Sequence, residues 1–579
     1  MRHYLHLLVF ALFLPLLAPA QGLPEPPKKY TDNQTVTYEE GIRYLRKLAA
    51  ASPYLRLDSI GETDAGLPLH TAVFSATQTL DPERASTSNA AVWLLNNAIH
   101  PGEPDGVDAS LRLLYELCQD KPLREEAENV VLVVIPFYNV GGALNRRHFT
   151  RVNQNGPYEM GFRGSARNYD LNRDFIKADT RNARTFFRIF HRWKPDFFVD
   201  THVSNGADYQ YTLTQLNTLP AKLSPPLDSY FGETFSPALV RTLEEKYDEP
   251  VTPYVNAWRN PPDSGFAQFL DLPRYSSGYA ALFHTPAIVP ELHMLKPYPR
   301  RVEATYHFLR ACWTLLGREG NRLKELRREA QKKAQQAKTF RFGWQLDREQ
   351  AKKITFRGYE AVYRQSPVTG QSQRYYDREK PYEKMIPFYD NYQTTRKAKI
   401  PKAFWVPQSA YQVLERLRMN DIRMEPLRQD TTLNLDAYYI TEYQTRERPY
   451  EGHYQHFQTR VRSEKQQVHL RAGAVRIPTA QPGIRYLMET LWPEAEDSFF
   501  NWNFFDPILQ QKEGISPYVF DGMAEKLLQQ DPKLKEALEK KRASDPDFAA
   551  NARAQLQFIY ERSPYFEPEY LRYPIFGEP

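Results

Sequence analysis

Apolar and polar positions along the chain follow two periods that take turns. Residues 37–51 repeat Ile42, Leu45, Leu48 and Ala49 at helical spacing. Leu55–Ile60 and Leu67–Ser75 read as extended stretches separated by the turn Thr63-Asp64-Ala65-Gly66. Residues 91–99 predict a buried strand, and Val107–Leu117 a helix with Val107, Leu111, Leu114 and Cys118 on one face. Val130–Phe137 is a nearly unbroken apolar run, the pattern of a strand covered on both sides. A helix over 180–193, short buried strands at Asp196–Asp200 and Ala287–Val289, and a helix from about Pro299 to Leu316 follow. Strands alternating with helices predict an α/β layer built on a mostly parallel sheet, whose ligands collect beyond the carboxyl ends of the strands.

The pattern changes after Gly317. Residues 318–339 are so charged that they predict a solvated helical connector. Residues 340–579 are rich in Tyr, Arg and Gln with short apolar runs, which predicts a smaller β-rich module carrying a helix near Ala410–Leu417 and a helical tail over 519–562. The 579 residues are too many for one core of ordinary size, so a catalytic-type domain over 36–317 followed by an accessory domain is the expected division.

Charge adds an exclusion. A net +6 spread over 76 basic and 70 acidic side chains gives no nucleic-acid footprint. Residues 1–20 have a basic start, an apolar stretch from Leu5 to Leu17 and small residues at Ala18 and Ala20, which predicts a signal peptide and an exported, periplasmic or extracellular protein. That apolar stretch is short of the roughly 20 residues that span a bilayer, and no later stretch comes close, so no membrane span is expected in the mature chain. Cys118 and Cys312, the only cysteines, both sit in apolar helical patterns and read as buried thiols whose pairing the sequence leaves open.

Three of the predicted strands end in chemistry. His100 and Glu103 follow the first, Asp200-Thr201-His202 ends the second, and Pro290-Glu291-Leu292-His293 follows the third. Two histidine nitrogens and one carboxylate leave a fourth position open on a zinc ion, the catalytic rather than the structural arrangement. Glu291 would then be the carboxylate that takes a proton from a bound water, provided it is not itself a ligand. Between these strands lies Arg167-Asn168-Tyr169-Asp170-Leu171-Asn172-Arg173-Asp174-Phe175. There an adjacent Asn and Arg suit a substrate carboxylate, and Asp170 suits the second nitrogen of a metal-bound histidine.

The ordered set His100-Pro101-Gly102-Glu103, Asp170-Leu171-Asn172-Arg173-Asp174-Phe175, Asp200-Thr201-His202 and Glu291 resembles the carboxypeptidase A-type zinc metallocarboxypeptidases, over about residues 36–315. The resemblance implies a carboxypeptidase-like mixed sheet flanked by helices. It implies one Zn2+ held by His100, Glu103 and His202, with Glu291 as general base. Asn172 and Arg173 would grip the free carboxylate of a peptide or protein C-terminus, Arg151 would stabilise the oxyanion, and Tyr275 would match the family's mobile tyrosine. Two departures leave roles open. An insertion at about Pro157–Ala166 makes Arg163 and Arg167 rivals for Arg151, and Tyr279 rivals Tyr275.

The expected activity is hydrolysis of C-terminal peptide bonds. A cell-wall peptide amidase of γ-D-glutamyl type or a deacylase would use the same zinc scaffold, and a non-catalytic peptide-binding protein is the reading from another class. Ala280, Ala281 and Leu282 point to an uncharged or aromatic terminal residue. His284 and His293 read as core or pocket-wall histidines, and His453-Tyr454-Gln455-His456 as a surface stretch.

Overall fold

The computed structural model describes residues 22–579; the expected signal peptide lies outside the described residues. The apolar runs assemble into a nine-stranded mixed sheet. Its spatial order is Leu55–Glu62, Pro68–Ser75, Val130–Ile135, Ala91–Asn96, Phe197–Asp200, Ala287–His293, Leu213–Asn217 and Val251–Pro253, with His202–Ser204 pairing beside Ala287–His293. The four central strands, from Val130–Ile135 to Ala287–His293, are mutually parallel, and the strands flanking them on either side run antiparallel to their central neighbours. Their all-apolar sequences follow from burial on both faces: every residue of Val130–Ile135 and Ala91–Asn96 is buried.

Helices Tyr38–Ala51, Asp105–Gln119, Arg181–Trp193 and Tyr298–Ala334 flank the sheet. The first begins with a capping box, Thr37 accepting from Glu40 N–H while Glu40 accepts from Thr37 N–H. The strand expected at Ala287–Val289 continues to His293, so Glu291 lies within a strand rather than after it.

The charged stretch 318–339 is not a solvated connector. Most of it completes the 37-residue helix Tyr298–Ala334, and Leu323, Leu326 and Ala330 are buried. The charged residues on the same face bury their stems and satisfy their heads at its edge. Lys324 donates to the carbonyl oxygens of Ser88 and Ala90, and Arg327 reaches Asp196 and Lys194 O. Alternating charge hid a buried face.

Residues beyond 339 form the expected β-rich region with a helix at Tyr411–Met419. A six-stranded sheet runs in the order Glu425–Pro426, Val475–Pro478, Ala403–Val406, Arg572–Glu578, Thr431–Thr445, His456–Leu470. A long hairpin, Lys352–Gln365 with Ser372–Tyr389, projects separately. The largest apolar core is continuous from Leu45 through Trp313 to Phe404, Tyr486 and Ile575, so no packing gap falls between the two regions. The helical tail encloses a small core of its own around Phe520, Leu538 and Phe548.

Candidate metal and substrate site

The parallel strands deliver His100, Glu103 and His202 to one point at their carboxyl ends. One donor atom from each lies within 4.8 Å of the others, and all three side chains are buried. The helix Asp105–Gln119 starts immediately after Glu103 and packs so tightly on the His202 segment that a Cβ on Gly106 would stand 2.0 Å from Thr201 Oγ1. Arg301, itself fully buried, pairs with Asp105 at 2.8 Å and donates to the carbonyls of Asn155, Gly156 and Lys296, tying the loops behind the cluster together.

The two histidines are held alike. His100 Nε2 bonds Asp170 Oδ1 at 3.0 Å, and His202 Nε2 bonds Asp200 Oδ2 at 3.2 Å. Both therefore turn Nδ1 toward Glu103, at 3.3 Å from His100 and 3.1 Å from His202. His100 Nδ1 is buried without a hydrogen-bond partner. A buried nitrogen with nothing to bond, beside a carboxylate and a second imidazole, is a donor set that fits a zinc ion. Asp200 also accepts from Ser276 Oγ at 2.5 Å and from Asn96 Nδ2 at 3.0 Å. The sequence motifs assign Asp200 no role, although strand alternation puts positions 200 and 202 on one face.

The electrostatics follow from burying like and unlike charges together. Burial alone would raise the Glu103 carboxyl, but the Arg151 and His100 charges outweigh it and hold it well below the usual range. Burial pushes Glu291 up to about 7, Glu103 adding to the rise while His202 and Arg151 oppose it. Glu291 lies in register with His202 on the neighbouring strand.

A cleft of about 540 Å3 opens over the cluster. Its lining brings together Arg151, Arg163, Asn172, Arg173, Tyr275 and Glu291 with the three candidate ligands. Arg151 Nη1 donates to Glu103 Oε1 at 2.5 Å, and Arg163 pairs with Asp170 at 2.8 Å. Arg167 is not in the cleft: it donates to Asp179 O. Arg173 stands 4.5 Å over the Tyr275 ring, and Asn172 Oδ1 accepts from Ser276 N–H at 3.0 Å. Tyr279 is not in the cleft either; it is fully buried, stacked on Phe187 and bonded to Asn420.

Ala280, Ala281 and Leu282, expected at the pocket floor, are buried in the helix Ser276–Leu282 and do not line the cleft. Leu216, Phe269, Val289 and Met294 supply its apolar surface instead. His284 is a core histidine bonded to Ser224, and His293 pairs with Asp208. His453 and His456 are not a free surface pair: His453 bonds Asp179 at 2.8 Å and His456 is buried against Asp506. Cys118 and Cys312 are both buried free thiols.

Residues 42–204 match the family model for zinc carboxypeptidases. In that segment the chain is of the zinc carboxypeptidase family. The segment contains His100, Glu103, Asp170, Asn172, Arg173 and His202; Tyr275 and Glu291 lie beyond it. The chain is similar to carboxypeptidase 2 of Trichophyton equinum, 25% identical over 180 residues that make up 30% of each protein. It is also similar to carboxypeptidase 2 of Trichophyton rubrum, 25% identical over 161 residues, 28% of this chain and 27% of the relative. It thus spans less than a third of the length of the curated relatives it matches. Among solved structures, a metallo-carboxypeptidase from Burkholderia cenocepacia aligns at 15% identity and a TM-score of 0.37, covering 48% of this chain and 69% of that one. Carboxypeptidase A from Helicoverpa armigera aligns at 14% identity and a TM-score of 0.37, covering 50% and 74%.

Proposed function

We propose that the protein is an exported zinc metallocarboxypeptidase that removes residues from peptide or protein C-termini. One observation carries this reading: a buried His100–Glu103–His202 donor set opens on the same cleft as Glu291 and Arg173. His100, Glu103 and His202 would hold zinc, which when bound supplies a Lewis acid that acidifies water and polarises the scissile carbonyl. Glu291, its carboxyl raised toward neutrality, is suited to take a proton from the attacking water and to hand it to the leaving amine.

Arg173 would bind the terminal carboxylate, its guanidinium held flat by Tyr275 on one side, and Asn172 would add a donor beside it. That pairing at the closed end of the cleft restricts cleavage to the last residue. Arg151 would place its charge where the oxyanion develops, and Arg163 is the second arginine within reach of the cluster. The apolar lining of Leu216, Phe269 and Val289 favours an uncharged terminal side chain. Export rests on the N-terminal sequence. No helix among the described residues is long and apolar enough to cross a membrane.

The test is mass spectrometry of a mixed peptide library incubated with the zinc-loaded protein beside Glu291→Gln. Stepwise loss of C-terminal residues by the wild type alone is the expected result. Intact peptides in both samples, with cleavage of cell-wall peptides by the wild type, would replace this reading with the amidase.

A further inference from the structure

The turn Tyr450–His453 reaches from the β-rich region into the wall behind the candidate site. Tyr450 N–H donates to His453 O at 2.8 Å and His453 N–H to Tyr450 O at 3.1 Å, closing a two-residue hairpin. Its central residues, Glu451 and Gly452, have φ of 50° and 82°. This is the handedness of a type I′ turn, which favours Asn, Asp or Gly at both positions. Glycine meets that demand. Glutamate does not, since its Cβ makes a left-handed backbone unfavourable.

What the Glu451 side chain gains is a long-range bond: Oε2 accepts from Asp170 N–H at 2.8 Å, across 281 residues of sequence. Asp170 in turn accepts from His100 Nε2 at 3.0 Å and from Asn172 N–H at 2.9 Å, the second bond opening the short turn that carries Arg173. The tip is pinned on both flanks. A Cβ on Gly452 would come within 2.8 Å of the Tyr169 hydroxyl, and His453 bonds Asp179, which also takes the Lys177 ammonium at 3.1 Å. Glu451 itself does not line the cleft.

We infer that Glu451 is a positioning residue for the candidate metal site, fixing the Asp170 backbone and through it the His100 ring and the Leu171–Arg173 turn. The inference rests on the reading of His100 as a metal ligand. Through Glu451 the β-rich region completes the frame of a site whose ligands all lie elsewhere in the chain.

The experiment titrates the full-length apoprotein with Co2+, following the visible d–d spectrum, for the wild type, Glu451→Gln, Glu451→Asp and Glu451→Ala. Gln keeps an acceptor at the same reach, so its affinity and spectrum should match the wild type. Asp tolerates the left-handed backbone but falls one methylene short of Asp170, and Ala has no acceptor. Both should bind Co2+ about 10–100-fold more weakly, with an altered spectrum. Wild-type affinity and spectrum in Asp and Ala would overturn the inference. If Ala fails to fold, as thermal unfolding would reveal, the Gln and Asp pair still decides it. Failure of the wild type to bind Co2+ would instead overturn the metal-site reading beneath it.

Discussion

The floor and the walls of the cleft are made in opposite ways. The floor takes His100, Glu103, His202 and Glu291 from the ends of neighbouring parallel strands, whose spacing of about 4.8 Å sets how far apart the side chains stand. The walls take theirs from irregular segments held by distant parts of the chain. Asp497, for instance, accepts from Arg274 N–H at 3.0 Å and so fixes the segment leading into Tyr275. On the far lip, Arg374 from the long hairpin donates to the carbonyls of Trp258 and Arg259. A floor hung on a sheet is rigid by construction, whereas a wall of loops is only as fixed as the neighbours that grip it.

That contrast can be broken most sharply at Glu291. Glu291→Gln should lower kcat about 1,000-fold, the scale of a lost general base, while zinc content by atomic absorption stays at the wild-type level. Loss of zinc along with activity would make Glu291 a ligand rather than a base. The next effect concerns the frame under the floor. Leu326→Ala should cost about 3 kcal/mol in denaturant unfolding, as a buried leucine does, while Arg328→Ala on the exposed side of the same turn stays within about 0.5 kcal/mol. Equal, small losses would return residues 318–334 to the solvated connector that their charge suggested.

Asp200→Asn comes third. It should weaken zinc binding about 10–100-fold, measured by competition with a chelator, because an amide orients His202 less firmly than a carboxylate. Unchanged affinity would mean that Asp200 serves Ser276 and Asn96 alone. The smallest effect is one of pH. Burial, with the Arg485 and Arg327 charges, pushes His284 down to about 3, so the folded chain keeps it neutral while the unfolded chain protonates it near 6.5. Its contribution is complete above pH 6.5 and is lost as pH falls toward 3, at roughly 1.4 kcal/mol per unit. Between pH 6.5 and 5, His284→Gln should lose about 2 kcal/mol less stability than the wild type; parallel losses would show that His284 does not set the acid limit.

Legibility followed the same division. The ligand set could be read because each apolar run announces a strand and its polar residues come next: Ala91–Asn96 leads to His100, and Phe197–Asp200 to His202. Asn172 and Arg173 were legible as an adjacent pair that the fold brings into the same cleft. Glu451 was not, because nothing within ten residues of it hints at Asp170, and partners 281 residues apart leave no periodic trace. Lys324 and Arg327 misled for another reason. Composition counts a charge as solvated, whereas a long stem lets the head reach a carbonyl or an aspartate from inside the core. The wrong pocket floor had the same root, since Ala280–Leu282 are apolar because they face the protein, not a ligand.

The continuous core that joins Leu45 to Ile575 bears on how such a chain can be inherited. A catalytic unit bounded by a clean seam can be copied, fused and traded between genes. Here the long helix, the β-rich sheet and the metal-bearing sheet share one interior, and the tip at Glu451 reaches back across it. The second region is therefore no detachable passenger, and the chain travels as a single heirloom.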